Sequence, residues 1–268
     1  MTERSIVLIT GANTGIGYQA VLALLQSQKP YTILLGSRSL EKARAAIDSL
    51  EREVPNTSSV ISALVVDIVS DESIQAARKE IEDKWGRVDA LVNNAGAEFD
   101  WEYKAGKITR RELLNKTFDV NVSGAYMMTD YFLPLLLNSS DPRLIFITSG
   151  QSSLKGFSEG TIRLPPHPPA GWPKNTPFDN TAYRVSKTAL NMALLNLSRQ
   201  LTNDNVKAWG LSPGLLKTGL GNVEPSIAEN MGAGDSSVGG IFIKEVLEGR
   251  EDHHVGRIVN PAGQVQDW

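Results

Sequence analysis

The chain has 268 residues, 41% of them hydrophobic and 21% charged, with a formal net charge of −3. Length and composition fit one globular domain with a sizeable core, and the mild acidity leaves no basic footprint for nucleic acid or an anionic lipid surface. There is no cysteine, which excludes disulfides, thiolate nucleophiles and sulfur-ligated zinc.

The opening apolar run is too short for a secretory signal, and no stretch has the length needed to span a bilayer, so a cytoplasmic protein is expected. Short β-branched runs then alternate with longer segments of helical period. Strands are predicted at 5–10, 32–37, 61–67, 90–94, 143–149, 206–212 and 256–260, and helices near 15–28, 39–53, 71–85, 109–138, 181–202 and 236–248. This alternation is the pattern of βαβ units, which predicts an α/β fold with a parallel sheet of about seven strands covered on both faces. No repeat or composition shift marks a domain boundary, so residues 1–268 are read as a single domain.

Between the first strand and first helix, TGANTGIG places Gly11, Gly15 and Gly17. Glycine there allows positive φ and close backbone approach, and a helix N-terminus offers free N–H groups to a pyrophosphate. A tight turn without a ligand would have the same residues. The second strand ends in Ser37 and Arg38, where a carboxylate would accept from ribose hydroxyls and repel a 2′-phosphate. The guanidinium instead pairs with phosphate or decorates a surface turn.

Further along stand Asp67 and Ile68, the run Asn94-Ala95-Gly96, Asn121, Ser149 ending an apolar strand, and Tyr183 four residues before Lys187. Spacing of four puts the phenol and the ammonium on one helix face. A ketone accepts hydride well only when its oxygen is protonated as charge develops, which calls for an acid near the carbonyl. A free phenol has a pKa of about 10, and bringing it near neutrality takes about 4 kcal/mol, part of which a neighbouring ammonium supplies.

With these motifs in this order over essentially the whole length, the sequence resembles the short-chain dehydrogenase/reductase family. The resemblance implies a Rossmann-type doubly wound sheet and NADP(H) as cofactor, with Arg38 on the 2′-phosphate. Thr14 stands where many NADP-preferring members carry a second basic residue. It further implies Tyr183 as proton donor, Ser149 as hydrogen-bond partner of the carbonyl oxygen, Lys187 on the nicotinamide ribose and lowering the phenol pKa, and Asn121 holding a water that links Lys187 to solvent. Ser149 is chosen over Ser152 and Ser153 because it ends the strand, as the family's serine does. Cofactor contacts are expected at Gly11, Asn13, Thr14, Gly15, Ile16, Gly17, Ser37, Arg38, Asp67, Ile68, Asn94, Ala95, Gly96, Tyr183, Lys187, Pro213, Gly214 and Thr218. The activity implied is hydride transfer between NADPH and a ketone or aldehyde with a bulky apolar body, in a carbonyl-reductase-like member. Alternatives are an NADP-binding sensor or scaffold without turnover, or an epimerase or dehydratase on the same fold.

Residues 214–235 resemble the family's substrate lid, from which Leu215, Leu220 and Met231 would face substrate, as would Phe99 with Trp101 and Tyr103 after the fourth strand. Tyr183 follows Ser149 by 34 residues, a longer interval than is common in the family, and the excess holds LPPHPPAGWPKNTPFDN within an insertion at 154–180. Proline lowers the entropy lost on ordering such a loop, so it reads as a stiff wall of the cleft. Trp172 and Phe178 would line that wall, and Asp179 or Asn180 would cap the next helix. A ligand for a proline-reading partner is the competing reading. Relatives with an insertion here are often monomeric because it covers a pairing helix, so monomer or homodimer is expected. The run GREDHH is read as a solvated loop rather than a metal site, since His253 and His254, being adjacent, should not face one point.

Overall fold

Seven strands pair in parallel in the order β3-β2-β1-β4-β5-β6-β7: β1 (Ser5–Ile9), β2 (Tyr31–Ser37), β3 (Val60–Val65), β4 (Ala90–Asn93), β5 (Arg143–Ile147), β6 (Lys207–Leu211) and β7 (Ile258–Val259). They are taken from a computed structural model that describes residues 4–164, 166–174, 180–222 and 224–268. Apart from the edge strand β3, the strands have both faces covered, so apolar residues run continuously and divide by alternation. Ile6 and Leu8 of β1 enter one core, with Leu144 and Phe146 of β5. Val7 and Ile9 enter the other, with Ile145 and Ile147.

The first core is closed by α3 (Asp71–Trp85), α6 (Ala125–Leu136) and α8 (Thr181–Gln200), the second by α1 (Gly15–Leu25), α2 (Leu40–Glu53) and α10 (Ser237–Leu247). The boundaries have local causes. Ser39 and Ser70 cap α2 and α3 through their hydroxyls, and Gly86 ends α3 in the left-handed conformation. This is a single α/β domain of the expected class. Among the described residues, no helix is long and apolar enough to cross a membrane.

The structure departs from the sequence-based expectation in several places. The helix expected over 109–138 is two, α5 (Arg110–Phe118) and α6, joined by a π-helical turn over Asp119–Gly124. The wider turn lies against the chain after β3, where a Cβ on Gly124 would stand 2.7 Å from the Ile68 carbonyl oxygen. It turns Asn121 into the interior, 1% exposed. Three short helices were not anticipated: α4 (Asp100–Lys104), α7 (Leu154–Glu159) and α9 (Pro225–Asn230), the last within the region read as a substrate lid.

Beyond α7, the described part of the proline-rich insertion is irregular, and its Trp172 is 84% exposed rather than packed in a wall. Asn180 precedes α8 without capping it by a side-chain hydrogen bond. Phe178 and Asp179 lie outside the described residues. Val185 and Met192 of α8 stay exposed, so the described insertion does not cover that side of the helix.

The two adjacent histidines also need correcting. A short turn over Asp252–His254 brings their ring centroids to 3.9 Å, with Glu251 beside them. The Glu251 carboxylate lies 2.9 Å from His254 Nδ1 and is paired with Arg250 Nε at 3.4 Å, a polar cluster that fastens the chain between α10 and β7.

Candidate active site

The strand order places β1 beside β4, the point at which the chain switches direction across the sheet, and a crevice opens there at the strands' C-terminal ends. Four loops reach this edge. After β1 comes the glycine turn. After β4 come Asn94, Ala95 and Gly96. Ser149 follows β5, and Pro213 and Gly214 follow β6.

The glycine turn is shaped for close approach. Gly15 has φ +57°, and a Cβ on it would face Thr218 at 3.6 Å, so the turn and the segment after β6 stand opposite each other. A Cβ on Gly17 would lie 2.6 Å from Asn94 Nδ2 and 2.8 Å from the Gly11 carbonyl oxygen, so only glycine lets α1 start this near β4. The N-cap Thr14 makes no side-chain cap hydrogen bond and no acidic residue stands in the first turn. The first-turn N–H groups and the positive helix end thus remain available to an anion, which is the fit a dinucleotide pyrophosphate requires. Asn13 and Ile16 are partly buried, Ile16 against the second core.

Not every expected cofactor residue offers its side chain to a ligand. Asn94 Nδ2 donates to the carbonyls of Thr10 and Gly11 at 2.8 and 3.3 Å, and the Thr10 hydroxyl oxygen accepts from Asn94 N and Ala95 N, both at 3.0 Å. These bonds lock the β4 loop to the glycine turn. Ser37 is buried, and its hydroxyl accepts from Ser39 N at 3.3 Å. Arg38 is exposed and makes no ion pair among the described residues. Asp67 is partly buried at the start of the turn into α3, with its Oδ1 accepting from Val69 N at 3.3 Å, and Ile68 is buried.

Tyr183 and Lys187 lie in the first two turns of α8. Lys187 is 4% exposed and its Nζ donates to the Ile147 carbonyl at 2.8 Å, which ties α8 to the end of β5. Burial pulls its ammonium down to about 8. The Tyr183 phenol moves the other way, up to about 12: burial is the main cause, the Glu98 carboxylate adds to it, and the hydrogen bond with the Ser149 hydroxyl opposes it. The expected lowering by lysine is not among these causes. Lys187 Nζ stands 5.8 Å from the tyrosine ring centre, and one of its three N–H groups bonds the Ile147 carbonyl.

Asn121 is fixed by both ends of its side-chain amide. Its Oδ1 accepts from Ala97 N at 2.8 Å, while Nδ2 donates to the Ala97 carbonyl and to Ser186 Oγ, both at 2.9 Å. Both amide hydrogens are taken, so the side chain clamps the β4 loop to α8 instead of presenting donors to a water. The π-helical turn is what aims it there.

Among the candidate substrate residues, the Phe99 ring lies under Lys116 Nζ at 4.5 Å, Trp101 under Lys107 at 5.1 Å, and Tyr103 against the Arg110 guanidinium at 5.0 Å. These aromatics engage cations on and around α5. Leu215 is 45% exposed, Leu220 and Met231 are partly buried, and the Met231 carbonyl accepts from Arg163, linking lid and insertion. Glu98, directly after the clamped Ala97, was not anticipated. Burial, the nearby Asp100 carboxylate and, in opposition, Lys104 leave it at about 7. The signal available was an acid two residues beyond Gly96.

Comparison with known proteins agrees with this architecture. The short chain dehydrogenase family profile matches residues 5–161. The short-chain dehydrogenase/reductase tropE of Talaromyces stipitatus is 44% identical over 271 residues, covering 100% of this chain and 99% of the relative. The short-chain dehydrogenase/reductase eupG of Phoma sp is 45% identical over 257 residues, covering 93% and 92%. In fold, the NADPH-bound carbonyl reductase from chicken fatty liver superposes with a TM-score of 0.76 at 22% identity, over 99% of this chain and 100% of that one. With full-length relatives at this identity, and with its glycine turn, serine, tyrosine and lysine gathered at one sheet edge, the chain belongs to the short-chain dehydrogenase/reductase family of oxidoreductases.

Proposed function

We propose that the protein transfers hydride between NADP(H) and a ketone or aldehyde, or the corresponding alcohol in reverse. The observation that carries this reading is the convergence of three side chains at the C-terminal edge of β5: the Ser149 hydroxyl acts on the Tyr183 phenol and lowers its pKa, and Lys187, one helical turn away, lies 5.8 Å from the phenol ring and is bonded to the Ile147 carbonyl. A carbonyl oxygen bound between these hydroxyls receives the phenol's proton as negative charge develops on it, and Ser149 holds it in place.

When bound, the nicotinamide supplies hydride to the carbonyl carbon. The turn Gly11–Gly17, with the uncapped start of α1, is the place for its pyrophosphate, and Asp67, Ile68, Pro213, Gly214 and Thr218 are the groups offered to its two ends. Lys187, buried and cationic below about pH 8, would hold the ribose hydroxyls and favour the phenolate left after proton transfer. Arg38, exposed beyond β2 where no carboxylate stands, supports the choice of the phosphorylated dinucleotide.

The test mixes the protein with NADPH or NADH and a panel of ketones, aldehydes and quinones, and follows loss of reduced-nicotinamide absorbance. Turnover with NADPH is expected, and Arg38→Asp should move preference toward NADH by about tenfold or more. Tight NADPH binding without any turnover would favour a sensor, and unchanged selectivity in Arg38→Asp would remove that residue from the phosphate.

A further inference from the structure

Behind Ser149 runs a buried polar chain that the proposed chemistry does not itself use. Thr148 Oγ1 donates to Asn191 Oδ1 at 2.6 Å, Asn191 Nδ2 donates to Ser152 Oγ at 2.8 Å, and Ser152 Oγ donates to the Ser149 carbonyl at 2.5 Å. Each hydroxyl has one hydrogen, so the sequence of donors has a single sense. With Thr148 spending its hydrogen on Asn191, the Ser152 hydrogen is directed to Ser149. Thr148, Ser152 and Asn191 are 4%, 1% and 4% exposed.

Residues 264–268 reach the same point from beyond the edge strand β7. Val265 pairs antiparallel with Val259, Gln266 N donates to the Ile258 carbonyl at 2.9 Å, and Gln266 Nε2 donates to the Ser149 carbonyl at 3.2 Å. Trp268 packs on the first core, and its carbonyl accepts from Lys155 N at 2.9 Å.

We propose that Asn191, acting through Ser152 and assisted by Gln266, is a positioning residue that sets the orientation of Ser149 toward Tyr183. The inference rests on the role given above to Ser149. Tyr183, Lys187 and Asn191 fall at i, i+4 and i+8 on α8 and so share one helix face. One helix thereby carries the proton donor, the cation and the anchor of the donor's partner, and the Ser149–Tyr183 distance follows from the rigidity of α8 rather than from a loop. Apolar side chains of similar volume would pack these buried positions without the cost of desolvating three polar groups. A fully partnered polar chain is justified where orientation is what it secures.

A mutant cycle on the full chain separates positioning from general stability. Asn191→Leu and Gln266→Ala are each made in the native and the Ser149→Ala backgrounds, with kcat measured on phenanthrenequinone and NADPH affinity by nicotinamide fluorescence. Asn191→Leu should lower kcat about ten- to a hundredfold with NADPH affinity unchanged, and Gln266→Ala about two- to threefold, since its bond goes to a carbonyl with two other donors. Both losses should vanish in Ser149→Ala. An equal loss in both backgrounds, or unchanged kcat in Asn191→Leu, overturns the proposal.

If Asn191→Leu does not fold, Ser152→Ala, which removes one buried oxygen, takes its place in the cycle. Crystal structures decide the matter without any substrate: the Ser152→Ala structure should show Ser149 Oγ displaced from the Tyr183 hydroxyl, and an undisturbed contact would overturn the proposal. Full turnover in Ser149→Ala alone would instead sink the catalytic reading on which the inference stands.

Discussion

Residues 147–153, from the last residue of β5 onward, and the described residues of 160–174 both lie along the path from β5 to α8, yet they are held by opposite means. In the first, Ile147, Thr148, Ser152 and Ser153 are at most 7% exposed, and the backbone is fixed from β5, from α8 and from residues 266–268. In the second, Trp172 is 84% exposed, and among the described residues the side-chain ties are Arg163 to the Met231 carbonyl and Lys174 Nζ to the Pro169 carbonyl at 2.5 Å, beside backbone bonds from Gly160, Thr161 and Ile162 to α7. Proton transfer depends on fixed geometry, whereas admitting a substrate depends on parts that open at low cost. Under the proposed function, the first stretch is the one suited to hold the reacting groups.

The largest expected effect tests the fixed part. Tyr183→Phe should lower kcat by roughly 10²–10⁴ while NADPH affinity measured by fluorescence stays near native. Retained turnover would show that another group supplies the proton and would dissolve the contrast at its root.

Lys187→Met should abolish most turnover and yet raise stability. The folded pKa of Lys187, about 8, lies below its ordinary 10.5, so burial costs stability below pH 8 and the cost fades as pH rises from about 8 to 10.5. Removing the ammonium should gain about 2 kcal/mol near neutrality, after allowing for the lost bond to Ile147. In thermal melts of the two proteins, the Tm difference should be greatest below pH 8 and shrink toward pH 10.5. A constant difference, or a loss of stability, would mean that the lysine is not buried at a cost.

Glu98→Gln should act on the pH profile. Glu98 ionises near 7, and its charge makes Tyr183 a weaker acid, so kcat/KM for reduction should begin to fall as pH rises through 7. In the variant that limb should disappear, leaving the fall near 8 where Lys187 loses its proton. Superimposable profiles would separate Glu98 from the phenol.

The smallest effect belongs to the exposed stretch. Trp172→Ala should change stability by less than about 0.5 kcal/mol in denaturant melts. Any few-fold rise in KM should be confined to bulky carbonyls. A large loss of stability would show that this stretch is packed as firmly as the first.

Much of the fold was legible from residue order. The strand ends were placed to within about two residues because a strand buried on both faces is written as an uninterrupted apolar run, as in SIVLI and RLIFI. The glycine turn, Ser149, Tyr183 and Lys187 were legible because each sits where an element begins or ends. The π-helical turn was not: DVNVSG has no composition that distinguishes it from α-helix, and the distortion arises where Gly124 meets the backbone at Ile68. Nor was the clamp role of Asn121 and Asn94, because their partners lie 24 and more than 80 residues away.

The order of apolar and polar residues was thus sufficient for the parallel sheet and the family, and for choosing the residues proposed as the acid, its serine partner and the cation. These are local properties of period, spacing and side-chain chemistry. Packing alone decided that Tyr183 is raised rather than lowered, that Glu98 titrates near neutrality, and that Asn191 and Gln266 converge on Ser149. Desolvation and long-range hydrogen bonds depend on what surrounds a group in space, and the neighbours of these groups come from β4, β5, α8 and residues 264–268, brought together only when the sheet has formed.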